Sequence, residues 1–250
     1  MAVDRDGNIY VADTGNKRVV KFDRQGKFLS EWKGGKDPFV EPVGIAIAPN
    51  GDVYVLEPEK DGAQRFSATG QYLGKVGDGL GLYRPRGLSI DGAGVLYFAN
   101  TGGNNVVRTS ASSQPGGNIG GAGQKNGQFA QLTDVAVDAS GNIFVADTYN
   151  QRIQVFAPDG RYVTQWGIPS AGTALGPHIA IGPDGTVYAT DPDNHQFSAY
   201  SPDGSILATW GGQGDGDGQF VQPVGIFIDA GGGVYIADSG NNRIQVWGKR

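Results

Sequence analysis

The sequence predicts an all-β fold, a β-propeller of six blades, and three observations carry that prediction. One unit recurs six times at a spacing of roughly 40–45 residues, the period of a propeller blade. Inside each unit, short segments alternate apolar and polar residues with the period of two that half-buried strands show. Between them stand compact Asp/Asn/Gly turn signals, in which Gly supplies the positive φ of a tight hairpin.

The units run about 1–41, 42–84, 85–131, 132–176, 177–222 and 223–250, a single domain over residues 1–250. Their second strands are NIYVAD, DVYVLE, VLYFAN, NIFVAD, TVYATD and GVYIAD, preceded by DRDG, APNG, DGAG, DASG, GPDG and DAGG. The aromatic and β-branched content of these segments suits strands. Third strands follow as RVVKFD, AQRFSA, NVVRTS, RIQVFA, FSAYSP and RIQVWG. In four units a second tight turn leads to an outer strand: KFLSEW, QYLGKV, RYVTQW and SILATW. The third unit lacks such a turn and runs into SASSQPGGNIGGAG. No stretch carries a helical period. The expected architecture is therefore six blades of about four antiparallel strands, each covering its neighbour's face.

Unit 1 begins inside its first strand and unit 6 stops after its third, so the last blade is expected to lack an outer strand. That pattern suggests a domain cut from a longer chain. The open edge would be partly blunted by Lys249 and Arg250.

Composition narrows the function classes. The 250 residues include no cysteine, which removes disulfides, thiolate nucleophiles and Cys-ligated zinc. No apolar run is long enough for a transmembrane helix. A net charge of −5, with acids and bases interspersed, argues against a broad nucleic-acid surface. The expected partner is a protein or a small ligand.

The starts Pro42-Val43-Gly44-Ile45, Pro85-Arg86-Gly87-Leu88 and Pro223-Val224-Gly225-Ile226, the D-G-N-[IL]-[YF]-V-A-D strand and the N-x-R-[IV]-x-x-[FW] strand are the grammar of the units. They resemble the NHL repeat, and the resemblance covers nearly the whole chain. It implies a six-bladed propeller. For activity it leaves open protein-binding modules, RNA-binding modules and a few enzymes.

Several residues stand out against the repeat. Asp13 and Arg18, Asp147 and Arg152, and Asp238 and Arg243 sit five apart across the turn between strands two and three. They are expected to meet as charge-assisted hydrogen bonds that fix the turn; the functional alternative is a set of ligand-binding arginines on one face. Units 2, 3 and 5 replace the pair by Glu57/Gly62, Asn100/Asn105 and Asp191/Gln196. Their loops, with Asp193 and His195 in the third of them, would carry partner specificity because loops on a rigid scaffold usually do. Asp4-Arg5-Asp6-Gly7-Asn8 superficially matches a calcium loop but lacks the later ligands such a loop needs, so a hairpin turn explains it. Trp32, Trp166 and Trp210 recur at the ends of outer strands and are expected to pack between blades. Tyr83 and Tyr149 are less explained by the repeat; Tyr149 replaces a turn glycine and is expected to be an exposed contact residue.

At the mouth of the expected central tunnel, the glycine of P-x-G becomes Asp134 in unit 4 and His178 in unit 5, and Arg86 precedes Gly87 in unit 3. An imidazole, a carboxylate and a guanidinium there would bind an anion or act as base, acid and electrostatic stabiliser. The segments Pro85–Ile90, Thr133–Val137 and Pro177-His178 are also similar to motifs of the peptidyl-amidoglycolate lyases. That resemblance implies a zinc ion held in the central cavity by three histidines. His178 matches one of them, Arg86 stands where the family has another, and the third would fall near Met1 to Val3, where no histidine occurs. The leading reading is a binding scaffold that works through its loops and tunnel mouth. The alternative is a lyase or hydrolase using Arg86, Asp134 and His178, with a divalent metal in the channel as its cofactor and His178 as a metal ligand.

Overall fold

In blades 1, 3, 4 and 6 the turn between the first two strands is built by one aspartate side chain. Asp4 Oδ1 accepts the N–H groups of Asp6 at 3.0 Å and Asn8 at 2.8 Å, while Oδ2 accepts the Tyr10 hydroxyl at 3.1 Å. Asp91 and Asp229 repeat the device, each tying two turn amides and the hydroxyl of the second-strand tyrosine, Tyr97 or Tyr235. Asp138 does so with Asn142 in place of a tyrosine, because the second strand there carries Phe144. The Asp4 carboxylate is thus spent on the turn. These local bonds pre-set the hairpin and hence the register.

The computed structural model describes residues 1–169 and 176–248; Lys249 and Arg250, and so their expected role at the last edge, lie outside the described residues. The chain is all-β, with blades of antiparallel strands of the β-propeller type. Blade 1 comprises β1 (Ala2–Val3), β2 (Ile9–Asp13), β3 (Arg18–Phe22) and β4 (Phe28–Trp32). Blade 2 comprises β5 (Gly44–Ile47), β6 (Val53–Glu57), β7 (Gly62–Phe66) and β8 (Tyr72–Val76), and blade 3 comprises β9 (Gly87–Ile90), β10 (Leu96–Asn100), β11 (Asn105–Thr109) and β12 (Pro115–Ile119). Blade 4 is β13 (Asp134–Val137), β14 (Ile143–Asp147), β15 (Arg152–Phe156) and β16 (Tyr162–Gly167). Blade 5 is β17 (Ile179–Ile181), β18 (Val187–Asp191), β19 (Gln196–Tyr200) and β20 (Ile206–Gly211). Blade 6 has three strands, β21 (Pro223–Ile228), β22 (Val234–Asp238) and β23 (Arg243–Trp247).

The blades group into two compact units, Met1–Ile119 with blades 1 to 3 and Gly120–Arg250 with blades 4 to 6. In the first, Tyr54 and Leu56 of blade 2 pack with Leu96, Phe98 and Val107 of blade 3. In the second, Phe144, Ala146 and Ile153 of blade 4 pack with Ile179, Val187 and Tyr200 of blade 5, and Phe197 and Phe220 pack with Ile226 and Ile236 of blade 6. Tryptophans bridge neighbouring blades inside each unit. Trp32 lies 5.8 Å from Phe66 between ring centroids, and Trp166 lies 6.3 Å from Tyr200. Such aromatic contacts add about 0.5–1.5 kcal/mol each to the area they bury.

The third unit differs from its sequence expectation. It does have an outer strand, β12, paired with β11. The turn leading into it is built on a serine hydroxyl, as in blade 2, but carries no glycine. Ser110 Oγ accepts the N–H groups of Ser112 and Gln114, and Ser113 takes the left-handed conformation at φ 58°. Blades 1, 2, 4 and 5 place Gly26, Gly70, Gly160 or Gly204 at that left-handed position, so the glycine signal was missing here.

Candidate functional site

The most distinctive polar group lies in the second unit, where blades 4 and 5 begin. Register fixes the correspondence between blades: Gly44 pairs with Leu56, Gly87 with Ala99, Asp134 with Ala146 and Gly225 with Ala237. Asp134 therefore occupies the position that is glycine in blades 2, 3 and 6. His178 holds it in blade 5, one residue ahead of the Ile179–Ala189 pair.

The two side chains meet. His178 Nδ1 is 3.3 Å from Asp134 Oδ2. The carboxylate is itself fixed: Oδ1 accepts the N–H of Val135 at 2.9 Å and Oδ2 the N–H of Ile179 at 2.9 Å. Asp134 thus reaches from blade 4 to the backbone of blade 5. Three threonines hold the frame. Thr133 Oγ1 donates to the Pro177 carbonyl at 2.9 Å and accepts from Thr148 Oγ1 at 2.6 Å. Thr190 Oγ1 accepts the N–H of His178 at 2.9 Å, and the N–H of Thr190 returns to His178 O at 3.0 Å. Asp134 is 8% exposed, whereas the His178 side chain is 25% exposed. With Nδ1 facing a carboxylate, the pair favours the Nδ1–H tautomer and presents the Nε2 lone pair outward. Such an imidazole can accept a hydrogen bond or take a proton from a ligand. The sequence marked Asp134 and His178 as candidates, but not Thr133, Thr148 and Thr190; Thr133 adjoins Asp134, whereas Thr148 and Thr190 lie far from both in sequence and are brought to them by strand pairing.

Arg86 belongs to the first unit, half-buried at the start of β9, with its N–H on Ala99 O at 3.0 Å. His195 lies in the loop after β18 at φ 58°, and its Nδ1 accepts the N–H of Gln222 at 3.2 Å. Asp193 lies half-buried in the same loop. Tyr149 is 49% exposed and its N–H reaches Ala130 O at 3.1 Å; Tyr83 is 59% exposed.

A zinc ion of the three-histidine kind does not fit these residues. The chain has two histidines, and the Nδ1 of each is engaged, one beside Asp134 and the other with a backbone amide. Both oxygens of Asp134 accept backbone N–H groups, and a guanidinium such as Arg86 has no lone pair to give a metal. Among the described residues, no group of three or more His, Asp or Glu side chains is placed to hold a metal ion.

The three Asp–Arg pairs are all closed, each with Arg Nε 2.7 Å from the carboxylate. Their other contacts point into the fold. Asp147 Oδ1 accepts the N–H of Ala130, and Asp238 Oδ1 that of Val221, so each carboxylate also anchors the linker entering its blade. Arg152 donates to Lys125 O and Gln128 O, and Arg243 to Asp215 O, Gly216 O and Gln219 O. A glutamine unremarked in the sequence completes the clamp. Gln154 and Gln245 each donate to the carboxylate and to the linker carbonyl, and each accepts a linker glycine N–H. Where the pair is replaced, part of the network survives: Asn100 donates to Asn105 at 2.8 Å in the place of the pair, Gln64 to Glu57 at 2.6 Å as Gln154 does to Asp147, and Asn194 to Asp191 at 2.8 Å as Asn150 does to Asp147. These groups are consumed by the scaffold.

The NHL repeat profile matches residues 1–22, 129–156 and 220–247. The chain is 33% identical to mouse peptidyl-glycine alpha-amidating monooxygenase over 138 residues, which is 52% of this chain and 13% of that protein. It is 30% identical to the probable peptidyl-alpha-hydroxyglycine alpha-amidating lyase of Caenorhabditis elegans over 155 residues, 60% of this chain and 41% of the relative. The alignments thus span less than half the length of either relative. Among solved structures, a streptogramin B lyase superposes with a TM-score of 0.71 at 18% identity, covering 98% of this chain and 76% of that one, a likeness of fold.

Proposed function

From a chain that carries NHL repeats and is homologous to the amidating monooxygenase and lyase proteins, we propose a ligand-binding propeller whose recognition site is centred on His178 and Asp134. The observation that carries this reading is the replacement of two repeat glycines, in adjacent blades, by a carboxylate and an imidazole that meet at 3.3 Å. The repeat does not require either side chain, because blades 2, 3 and 6 pack with glycine there. The ligand is a small molecule or the end of a protein chain that donates a hydrogen bond to Nε2. Loops of the same unit, with Tyr149, Asp193 and His195, supply further contacts, as loops on a rigid frame do.

One observation favours a second reading. An imidazole oriented by a carboxylate is the arrangement of a general base, and the C. elegans relative is named a lyase. In that reading His178 removes a proton from the substrate without a three-histidine zinc.

The test offers the purified chain a peptide ending in α-hydroxyglycine, alongside the same peptide with a plain carboxylate end. Binding is followed by calorimetry and cleavage by mass spectrometry. Saturable binding that weakens at least about tenfold in His178→Gln supports the recognition site. Cleavage lost in the same variant supports the lyase reading. Binding or cleavage unchanged by the substitution rejects the site.

A further inference from the structure

We propose that Thr190 is the positioning residue of the His178 imidazole, its hydroxyl supplying the anchor that the strand ladder loses at Pro177. The proposal rests on the reading of His178 as the recognition group. It starts from a gap in the main-chain pairing. In blades 2, 3 and 4 the residue before the position of Gly44, Gly87 or Asp134 donates its N–H across the ladder: Val43 to Leu56 O, Arg86 to Ala99 O and Thr133 to Ala146 O, each at 3.0 Å. In blade 5 that residue is Pro177, which has no N–H to give. The first strand also starts late there. β5, β9 and β13 begin at Gly44, Gly87 and Asp134, whereas β17 begins at Ile179, one place after His178.

One side chain fills the gap. The residue opposite this position is Leu56, Ala99, Ala146 or Ala237 in blades 2, 3, 4 and 6. In blade 5 the register places Thr190 opposite His178. Thr190 is thus a further departure from the repeat, directly across from the imidazole. It is 1% exposed. A hydroxyl buried where alanine serves in three other blades is costly unless it is bonded. Thr190 Oγ1 accepts the N–H of His178 at 2.9 Å and lies 3.4 Å from both His178 O and Val224 O, the latter in β21 of blade 6. A proton directed at those carbonyls leaves a lone pair for the His178 amide. The Thr190 N–H closes the pair on His178 O at 3.0 Å. One residue therefore holds both the N–H and the C=O of His178. That fixes the direction of its Cα–Cβ bond and sets Nδ1 at 3.3 Å from Asp134 Oδ2.

The test compares Thr190→Ala, the residue three other blades carry there, with Thr190→Ser, which keeps the hydroxyl. The readout is the imidazole nitrogen spectrum of His178 in the ligand-free chain. The ratio of Nδ1–H to Nε2–H tautomers should fall about fivefold or more in Thr190→Ala, the effect of one lost hydrogen bond, and return towards the wild-type ratio in Thr190→Ser. A side chain that only packs would move the melting temperature and leave the ratio alone. An unchanged ratio in Thr190→Ala, or an equal fall in Thr190→Ser, overturns the proposal. Binding of the α-hydroxyglycine peptide reports separately on the ligand. A wild type that binds no peptide strikes the recognition reading, while the tautomer ratio still decides the role of Thr190.

Discussion

Asp134 of blade 4 accepts the backbone N–H of Ile179 in blade 5 and lies 3.3 Å from the His178 imidazole through the same oxygen. One carboxylate therefore both stitches two blades and orients the group proposed to meet the ligand. Stability and recognition should separate on substitution. Asp134→Ala strands the amides of Val135 and Ile179 and should cost about 1–3 kcal/mol in denaturant unfolding. His178→Gln, at a partly exposed position, should cost no more than about 0.5 kcal/mol while removing ligand binding.

The blade-4 clamp is a buried ion pair, with Asp147 0% and Arg152 9% exposed. Removing one partner leaves an uncompensated charge, so Asp147→Ala should cost about 3–5 kcal/mol. Blade 3 makes the same link with Asn100 and Asn105. The double change Asp147→Asn with Arg152→Asn should therefore be more stable than the sum of its single changes by about 1 kcal/mol or more, measured as a double-mutant cycle.

Alkaline pH should find the second-strand tyrosines. Burial, then the hydrogen bond to and charge of Asp91, push the Tyr97 hydroxyl up to about 12. A raised value in the folded state means that the neutral phenol is favoured by folding. Its contribution is complete below the unfolded value of about 10 and is lost as pH rises towards the folded one. Ultraviolet titration should show a late-ionising phenol that disappears in Tyr97→Phe, and that variant should lose less melting temperature across the same alkaline interval.

Acid acts with the opposite sign at Asp238. Burial there opposes ionisation, but hydrogen bonds from Asn241, the Val221 amide, Arg243 and Gln245 outweigh it and hold the carboxyl below its ordinary value. Its stabilisation is present above the unfolded carboxylate range and is lost as pH falls through the lower folded value. Wild type should lose stability below about pH 4, and Asp238→Asn, already weakened, should lose less over that interval.

Tyr149 and Gly102 follow the second strand at equivalent places and should respond oppositely to substitution. A Cβ at Gly102 would lie 2.3 Å from Tyr83 Cδ1 and 2.7 Å from Tyr83 O, so Gly102→Ala should lower the melting temperature clearly. Tyr149→Gly restores the usual residue at an exposed position and should leave the melting point within a few degrees of wild type.

Much of this fold was legible in the sequence because each blade repeats its own instructions. In every blade a turn glycine and a period-two strand agree with one another, and in blades 1, 3, 4 and 6 an Asp heads the turn as well, so local and global signals coincide. The outer strand β12 escaped because Ser113 holds the left-handed turn position that Gly26, Gly70, Gly160 and Gly204 hold in blades 1, 2, 4 and 5. The clamp glutamines, Gln64, Gln154 and Gln245, escaped because, besides the carboxylate of their own hairpin, they bind backbone groups of a distant linker, which no local period encodes. Asp134 and His178 were visible as departures from a repeated glycine, whereas the threonine frame beneath them emerged only with the packing of blades 4 and 5.

The most direct test of the central claim is the imidazole nitrogen spectrum of His178, recorded by long-range proton–nitrogen NMR with and without the α-hydroxyglycine peptide. The account predicts an Nδ1–H tautomer in the free protein, lost in Asp134→Asn, and a shift of the Nε2 resonance when the peptide binds. An Nε2–H tautomer with no response to bound peptide would contradict it.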